Sequence, residues 1–275
     1  ARCALNPVTM NGGKYVITPA KAKKTVAVIG GGIGGMECAR ILTLRGHNVT
    51  IYEKSDVLGG VFIPASNFDF KENDKRLIDW YRAQIKELKI KVKLNTEITD
   101  LSTLKCDEIV VATGAKARRL RMPNAERCID AVDYLNGKEV GKNVIIIGGG
   151  LTGCEIAYDL HRKGHKPVIV EAKNDLMAVR GLCLANSSYL RDYFKAFKVP
   201  VHLETKLSEI GEKSVVIESS EGQQKLPADD IILAIGYNPA PAFESAKNVH
   251  IVGDAYAVGN LRTVVWRAWE IAESI

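Results

Sequence analysis

Two stretches of this chain carry residues whose types and spacing suit the handling of a dinucleotide. Gly30-Gly31-Gly32-Ile33-Gly34-Gly35 follows the apolar, β-branched run Thr25-Val26-Ala27-Val28-Ile29, and Gly148-Gly149-Gly150-Leu151-Thr152-Gly153 follows Asn143-Val144-Ile145-Ile146-Ile147. In such a motif the first glycine (Gly30, Gly148) makes the tight turn and the second (Gly32, Gly150) lets the backbone approach a pyrophosphate. The third (Gly35, Gly153) lets the following helix lie close on the strand. The helix N-terminus then offers unpaired N–H groups to the phosphates. Glu53 and Glu171 stand about 20 residues further on, where a carboxylate ending the second strand accepts hydrogen bonds from adenosine ribose hydroxyls.

The elements that must position these residues repeat as well. The two stretches superpose without a gap, and the same offset lays Glu37 on Glu155, Ala39 on Ala157, Gly46-His47 on Gly164-His165 and Glu53 on Glu171. Both copies read strand, glycine turn, helix, Gly-His turn, second strand (Val49 to Tyr52; Pro167 to Val170), acid. A single glycine motif is weak, since glycines punctuate many turns, but the full context met twice is specific. The expected class is α/β, with two Rossmann-type dinucleotide-binding domains.

Features outside the repeat break its symmetry. Leu58-Gly59-Gly60 follows only the first acid. Glu108-Ile109-Val110-Val111 reads as a strand ending in the small-residue turn Ala112-Thr113-Gly114, and Leu233-Ala234-Ile235-Gly236-Tyr237-Asn238-Pro239 reads as a second turn of that kind. His250-Ile251-Val252-Gly253-Asp254-Ala255 is a further strand ending in Gly-Asp. Val264, Val265, Ala268, Ile271 and Ala272 give the last stretch, Leu261 to Ile275, a helical period, and no catalytic role is assigned to Trp266 or Trp269, which suit packing and the site equally.

Composition narrows the class. With 46% hydrophobic and 25% charged residues, the 275-residue chain can bury a large core. The net charge of +6, from 38 basic and 32 acidic side chains, is spread along the chain, with Lys21-Ala22-Lys23-Lys24 a short basic run before the first strand, which argues against nucleic-acid binding. No apolar run reaches the roughly 20 residues of a membrane span and no signal pattern opens the chain, so a cytoplasmic protein without membrane contact is expected. The start Ala1-Arg2-Cys3, without an initiating Met, reads as a piece of something longer.

The cysteines exclude one chemistry. Cys3, Cys38, Cys106, Cys128, Cys154 and Cys183 stand singly, so no complete metal site is expected within the chain. Thiol–disulfide exchange needs two nearby cysteines. Neither a C-x4-C after Gly59-Gly60 nor a C-x-x-C in the second half is present. Cys38 and Cys154, in the helices after the glycine turns, read as buried small hydrophobes.

At the glycine motifs, the small-residue turns and Gly253-Asp254, the chain resembles the two-dinucleotide-binding flavoprotein superfamily that includes glutathione reductase. The resemblance implies FAD at the first motif, held by Gly30, Gly32, Gly35, Glu53, Lys54, Gly59, Gly60, Ala112, Thr113, Gly114 and Gly253. Asp254 would bond the flavin's ribityl chain. NADH would sit at the second motif, on Gly148, Gly150, Gly153, Glu171 and Gly236. The nicotinamide domain, 115–235, would be inserted into a discontinuous FAD domain, 23–114 and 236–275, after an N-terminal segment, 1–22, that links to something upstream. The N-terminus of the last helix, after Gly259-Asn260, would face the flavin's pyrimidine edge and favour the anionic reduced form. NADH is expected ahead of NADPH because Glu171 repels a 2′-phosphate; Lys173 and Arg180 act against that repulsion and keep NADPH open.

A closer resemblance rests on Cys3-Ala4-Leu5-Asn6-Pro7, the spacer to Lys23-Lys24-Thr25, Leu44-Arg45-Gly46-His47, Tyr52-Glu53-Lys54, Leu94-Asn95-Thr96, Ala112-Thr113-Gly114 and Gly148 to Glu155. These are similar to the 2,4-dienoyl-CoA reductase, 2-enoate reductase and trimethylamine dehydrogenase family, nearest the 2-enoate reductase branch. That family carries an FMN barrel resembling old yellow enzyme, then a cysteine cluster binding 4Fe-4S, then this module. The resemblance implies an electron-input module that passes hydride from NADH to FAD, and electrons onward to 4Fe-4S and FMN, where an activated C=C bond is reduced. Cys3 would be the last cluster ligand, with the other ligands and the barrel upstream. No side chain need act as acid or base in hydride transfer, so no catalytic residue is assigned. A stand-alone NADH dehydrogenase or ferredoxin reductase, or a non-catalytic ADP-binding module, are the alternatives; a homo-oligomer is compatible with each.

Overall fold

The structure is a computed structural model that describes residues 3–11, 13–179 and 181–275. The chain divides into two compact units, Ala1–Lys116 with Tyr237–Ile275, and Ala117–Gly236. The first crossing falls just past the expected Gly114, because the chain continues as the short strand Ala115–Ala117, which pairs with Tyr237–Pro239.

The first unit is built on five parallel strands in the order Val249–Ile251, Glu108–Val111, Thr25–Ile29, Asn48–Tyr52, Lys91–Lys93. A parallel sheet needs cover on both faces, which is why its central strands are nearly continuous apolar runs. Val26, Ala27, Val28 and Ile29 are all buried, each large side chain contributing about 1.5–3 kcal/mol relative to exposure. One face is covered by the helices Ile33–Leu44, Glu72–Glu87 and Leu261–Ser274, whose apolar stripes meet in one core. Within it, Glu37 is buried and accepts from Arg40 at 2.8 and 3.0 Å and from the indole N–H of Trp269, so the carboxylate is paired. The last helix opens with a capping box between Asn260 and Thr263.

The segment before the first strand, expected as a linker, is packed on this unit. Tyr15 is buried between Trp266 and Trp269, with ring centroids 5.5 and 6.1 Å away. The amide of Ala20 donates to the Arg45 carbonyl, and Arg45 Nε to the carbonyl of Thr18. Composition hid this because the short apolar run Tyr15-Val16-Ile17 is too brief to carry a period.

The second unit repeats the plan: a parallel sheet ordered Ile129–Asp130, Asp230–Leu233, Asn143–Ile147, Lys166–Val170, Val201–His202. The helices Leu151–Arg162 and Leu184–Ala196 belong to it, as does a three-stranded antiparallel meander, Lys206–Ile210, Ser214–Ser219 and Gly222–Pro227. Both second strands begin one residue earlier than the sequence suggests, at Asn48 and Lys166. Among the described residues no helix is long and apolar enough to cross a membrane.

Candidate dinucleotide sites

In each unit the glycine turn joins the central strand to a helix. Gly30 N–H donates to the Tyr52 carbonyl at 2.8 Å and Gly148 N–H to that of Val170 at 2.9 Å, so each turn is stitched to the neighbouring strand. Gly30 has φ +105°, and a Cβ there would overlap the Ala112 carbonyl; Gly148 has φ +108° and meets Ala234 in the same way. A Cβ at Gly35 or Gly153 would overlap the carbonyl oxygen of Gly30 or Gly148. These four glycines are demanded by the chain itself.

Gly32 and Gly150 differ. Their φ values, −71° and −70°, suit any residue, and a Cβ built on either would meet nothing within 4 Å. Neither backbone nor packing requires glycine there. Helical bonding begins with Met36 N–H to Gly32 and Cys154 N–H to Gly150, leaving the first-turn amides of each helix without intrahelical partners beside that open space. An anionic group approaching the backbone is the physical reason for glycine at such a place, so both loops fit a pyrophosphate.

The acids lie where the spacing puts them. Glu53 Oε2 accepts from Gly31 N–H at 2.6 Å, and Oε1 accepts from the amide and the hydroxyl of Ser55, both at 2.8 Å. Glu171 Oε2 accepts from Gly149 N–H at 2.6 Å and Oε1 from Lys173 N–H at 2.8 Å. Lys54 is exposed next to the buried Glu53. Arg180 lies outside the described residues.

The turn after each acid folds back on the glycine loop. Gly59 N–H donates to the Gly31 carbonyl at 2.9 Å, and Gly60, at φ +57°, sits over Gly32. The second unit holds Met177 there, buried at 3%, its N–H on the Gly149 carbonyl at 2.7 Å. Gly253 packs on Gly34, which brings Asp254 to the start of the first helix. Burial raises the Asp254 carboxyl above the ordinary carboxylate range, although its Oδ1 accepts from Gly259 N–H at 3.0 Å.

Other residues serve the scaffold. The Thr113 hydroxyl donates to the Ala240 carbonyl and accepts from Ala242 N–H, each at 3.0 Å, so it ties the returning chain down. The carbonyls of Gly114 and Gly236 accept from Ala240 and Arg118 at the crossings. Cys38 and Cys154 are fully buried; burial pushes both thiols up, that of Cys154 to about 12, so neither is a thiolate at neutral pH. Cys3 is half-buried, its carbonyl accepting from Trp266 Nε1 at 3.2 Å. Among the described residues no three His, Cys, Asp or Glu side chains are grouped to hold a metal.

The sequence reading missed two contacts. Arg82 donates to the carbonyl of Leu58, and Arg191 to that of Leu176. The leucines match at the offset of the repeat, but the arginines do not, so no alignment of the two copies pairs them.

Two Rossmann units, each with a glycine turn, an open phosphate approach and a loop-bonded acid, define a flavoprotein that binds two dinucleotides. The chain belongs to the pyridine nucleotide-disulphide oxidoreductase family, whose model matches residues 24–262. It is 36% identical to the cinnamate reductase of Clostridium sporogenes, over 99% of this chain and 42% of that protein. It is 32% identical to the NADH oxidase of Thermoanaerobacter brockii, over all of this chain and 44% of the relative. A solved 2-naphthoyl-CoA reductase superposes with a TM-score of 0.90 at 30% identity, covering 100% of this chain and 43% of the other. The chain thus spans less than half the length of these relatives.

Proposed function

We propose that the chain is the electron-input module of a longer flavoenzyme that reduces an activated C=C bond of the enoate or enone type. In this reading FAD occupies the first unit, NADH the second, and an upstream barrel carries FMN and a 4Fe-4S cluster whose last ligand is Cys3. Support for the distant partners comes from the relatives, named as a cinnamate reductase and a 2-naphthoyl-CoA reductase and each more than twice this chain's length. Support within the chain comes from Gly32 and Gly150, glycines that nothing in the protein requires.

Bound FAD supplies the capacity to take a hydride from NADH and to release its electrons singly. The protein's residues bind and orient. The amides at the start of Ile33–Leu44 and Leu151–Arg162 receive the two pyrophosphates, Glu53 and Glu171 the two adenosine riboses, and Asp254 the ribityl hydroxyls. No protein proton donor is needed for hydride transfer.

The purified chain should be yellow with one FAD per chain. Anaerobic NADH should bleach its visible band, and artificial acceptors should support turnover. Extending the chain upstream should bring iron and sulfide, and Cys3→Ala in that longer protein should abolish cluster incorporation. A colourless chain that binds ADP but not FAD would overturn the reading of the first unit; an intact cluster after Cys3→Ala would overturn that of Cys3.

A further inference from the structure

One resemblance between the two sites is not carried by the repeat in the sequence. In the first unit the Nε and Nη2 groups of Arg82, on helix Glu72–Glu87, donate to the Leu58 carbonyl at 3.0 and 2.6 Å. In the second, Nη2 of Arg191, on helix Leu184–Ala196, donates to the Leu176 carbonyl. Leu58 and Leu176 occupy the same place in the repeat, and the side chain of each lies against the middle glycine of its loop, Gly31 or Gly149. The next residue, Gly59 or Met177, bonds that glycine's carbonyl.

Each arginine therefore acts at one remove from the glycine loop: guanidinium to leucine carbonyl, next amide to loop carbonyl, loop amide to acid. The turn being held needs holding. Gly59, Gly60 and Met177 have φ of +131°, +57° and +51°, and for Met177 that is the left-handed region that side-chain-bearing residues avoid. A guanidinium is suited to the task, since its fixed planar fork makes charge-assisted bonds that a flexible ammonium does not reproduce.

The spacing argues that the contact serves the sites. Arg82 lies 24 residues beyond its leucine and Arg191 only 15 beyond its own. The two copies thus reach one contact from unmatched positions. Each arginine also has an acidic neighbour: Asp79 at 3.5 Å from Arg82, and Asp175, bonded by Arg191 at 3.1 and 2.8 Å. Arg191 holds the Asp175 carboxyl below the usual carboxylate range. We infer that Arg82 and Arg191 are paired positioning residues, each holding the closing turn, and through it the phosphate-binding loop, of one nucleotide site, Arg82 for FAD and Arg191 for the nicotinamide nucleotide.

The inference rests on the assignment of FAD to the first unit and NADH to the second, and the two can be tested apart. Arg82→Met should raise the dissociation constant for FAD at least about tenfold while the KM for NADH, measured with FAD in excess, stays within twofold. Arg191→Met should raise the KM for NADH by a similar factor with kcat largely kept and FAD retained. A purely structural role would weaken both nucleotides together and lower the urea midpoint of the apo chain in proportion. Should a methionine variant fail to fold, Arg82→Lys and Arg191→Lys keep charge and length without the fork, and each should give the same selectivity at smaller size. Folded variants whose two affinities are unchanged, or shift together, overturn the inference alone. A wild-type chain that binds neither nucleotide overturns the functional reading and this inference with it.

Discussion

Glu171 and Gly149 are joined by a 2.6 Å hydrogen bond from the glycine amide to the carboxylate, and Glu53 and Gly31 repeat it at the same distance. The bond fixes the acid at the mouth of the loop, where an adenosine ribose would present its hydroxyls. A fixed negative charge there disfavours a 2′-phosphate. NADH should therefore exceed NADPH in kcat/KM, and Glu171→Gln, which removes the charge and keeps an acceptor, should narrow the ratio about tenfold, equivalent to about 1.4 kcal/mol. Steady-state kinetics with both nucleotides checks it; equal or better use of NADPH by the wild type contradicts it.

Gly32 and Gly35 lie in one turn and answer to different demands. Alanine at 32 meets no protein atom within 4 Å, whereas alanine at 35 overlaps the Gly30 carbonyl. Gly32→Ala should leave the thermal midpoint unchanged or slightly raised, since the unfolded chain loses freedom, and should weaken FAD at least about tenfold. Gly35→Ala should cost about 1–3 kcal/mol of stability by overpacking. Calorimetry with flavin titration separates the two, and a Gly32→Ala chain that keeps wild-type FAD affinity would remove the strongest support for the site.

The contrast shows how far the residues speak for themselves. Strand, glycine turn, helix and acid were legible because each is a local pattern set by backbone sterics and period, and it occurs twice. The discontinuity of the first unit was legible only through resemblance, since nothing local tells Gly253-Asp254 that it joins a sheet begun at Thr25. The packing of Tyr15 on Trp266 and Trp269, and the reach of Arg82 and Arg191 to leucine carbonyls, are long-range contacts of single side chains. Such contacts have no period and no fixed spacing, so only the folded chain displays them.

Asp254 should trade stability for binding. Burial raises its carboxyl in the folded chain, so the charged form is disfavoured relative to the unfolded state. The cost is absent well below the ordinary value of about 3.9 and present in full once the pH exceeds the raised folded value. Asp254→Asn should accordingly raise the thermal midpoint of the apo chain at pH 7, and the advantage should vanish as the pH falls below about 4. The same variant should bind FAD more weakly, because a neutral amide accepts less strongly from ribityl hydroxyls than a carboxylate does. A midpoint that falls at pH 7 would contradict the assignment of the carboxyl as a buried, destabilising charge.

His47 should make the first unit sensitive to mild acid. Its ring is 4% exposed, Nδ1 accepts from Lys24 N–H at 3.3 Å, and Nε2 has no partner among the described residues. Burial, reinforced by the charges of Arg45 and Lys24 and only partly opposed by Glu108, lowers its pKa in the folded chain. A base with a lowered folded value takes up its proton first when unfolded, so stability is intact above the ordinary histidine value of about 6.5 and is lost as the pH falls from there toward the folded value. Replacing the ring by a neutral amide removes that term. His47→Gln should be less stable than wild type at pH 8, where only packing is lost, and the difference should shrink as the pH falls from 7 to 5. Urea midpoints of both chains across that range give the test, and a difference that stays constant with pH would show that His47 is not the group responsible.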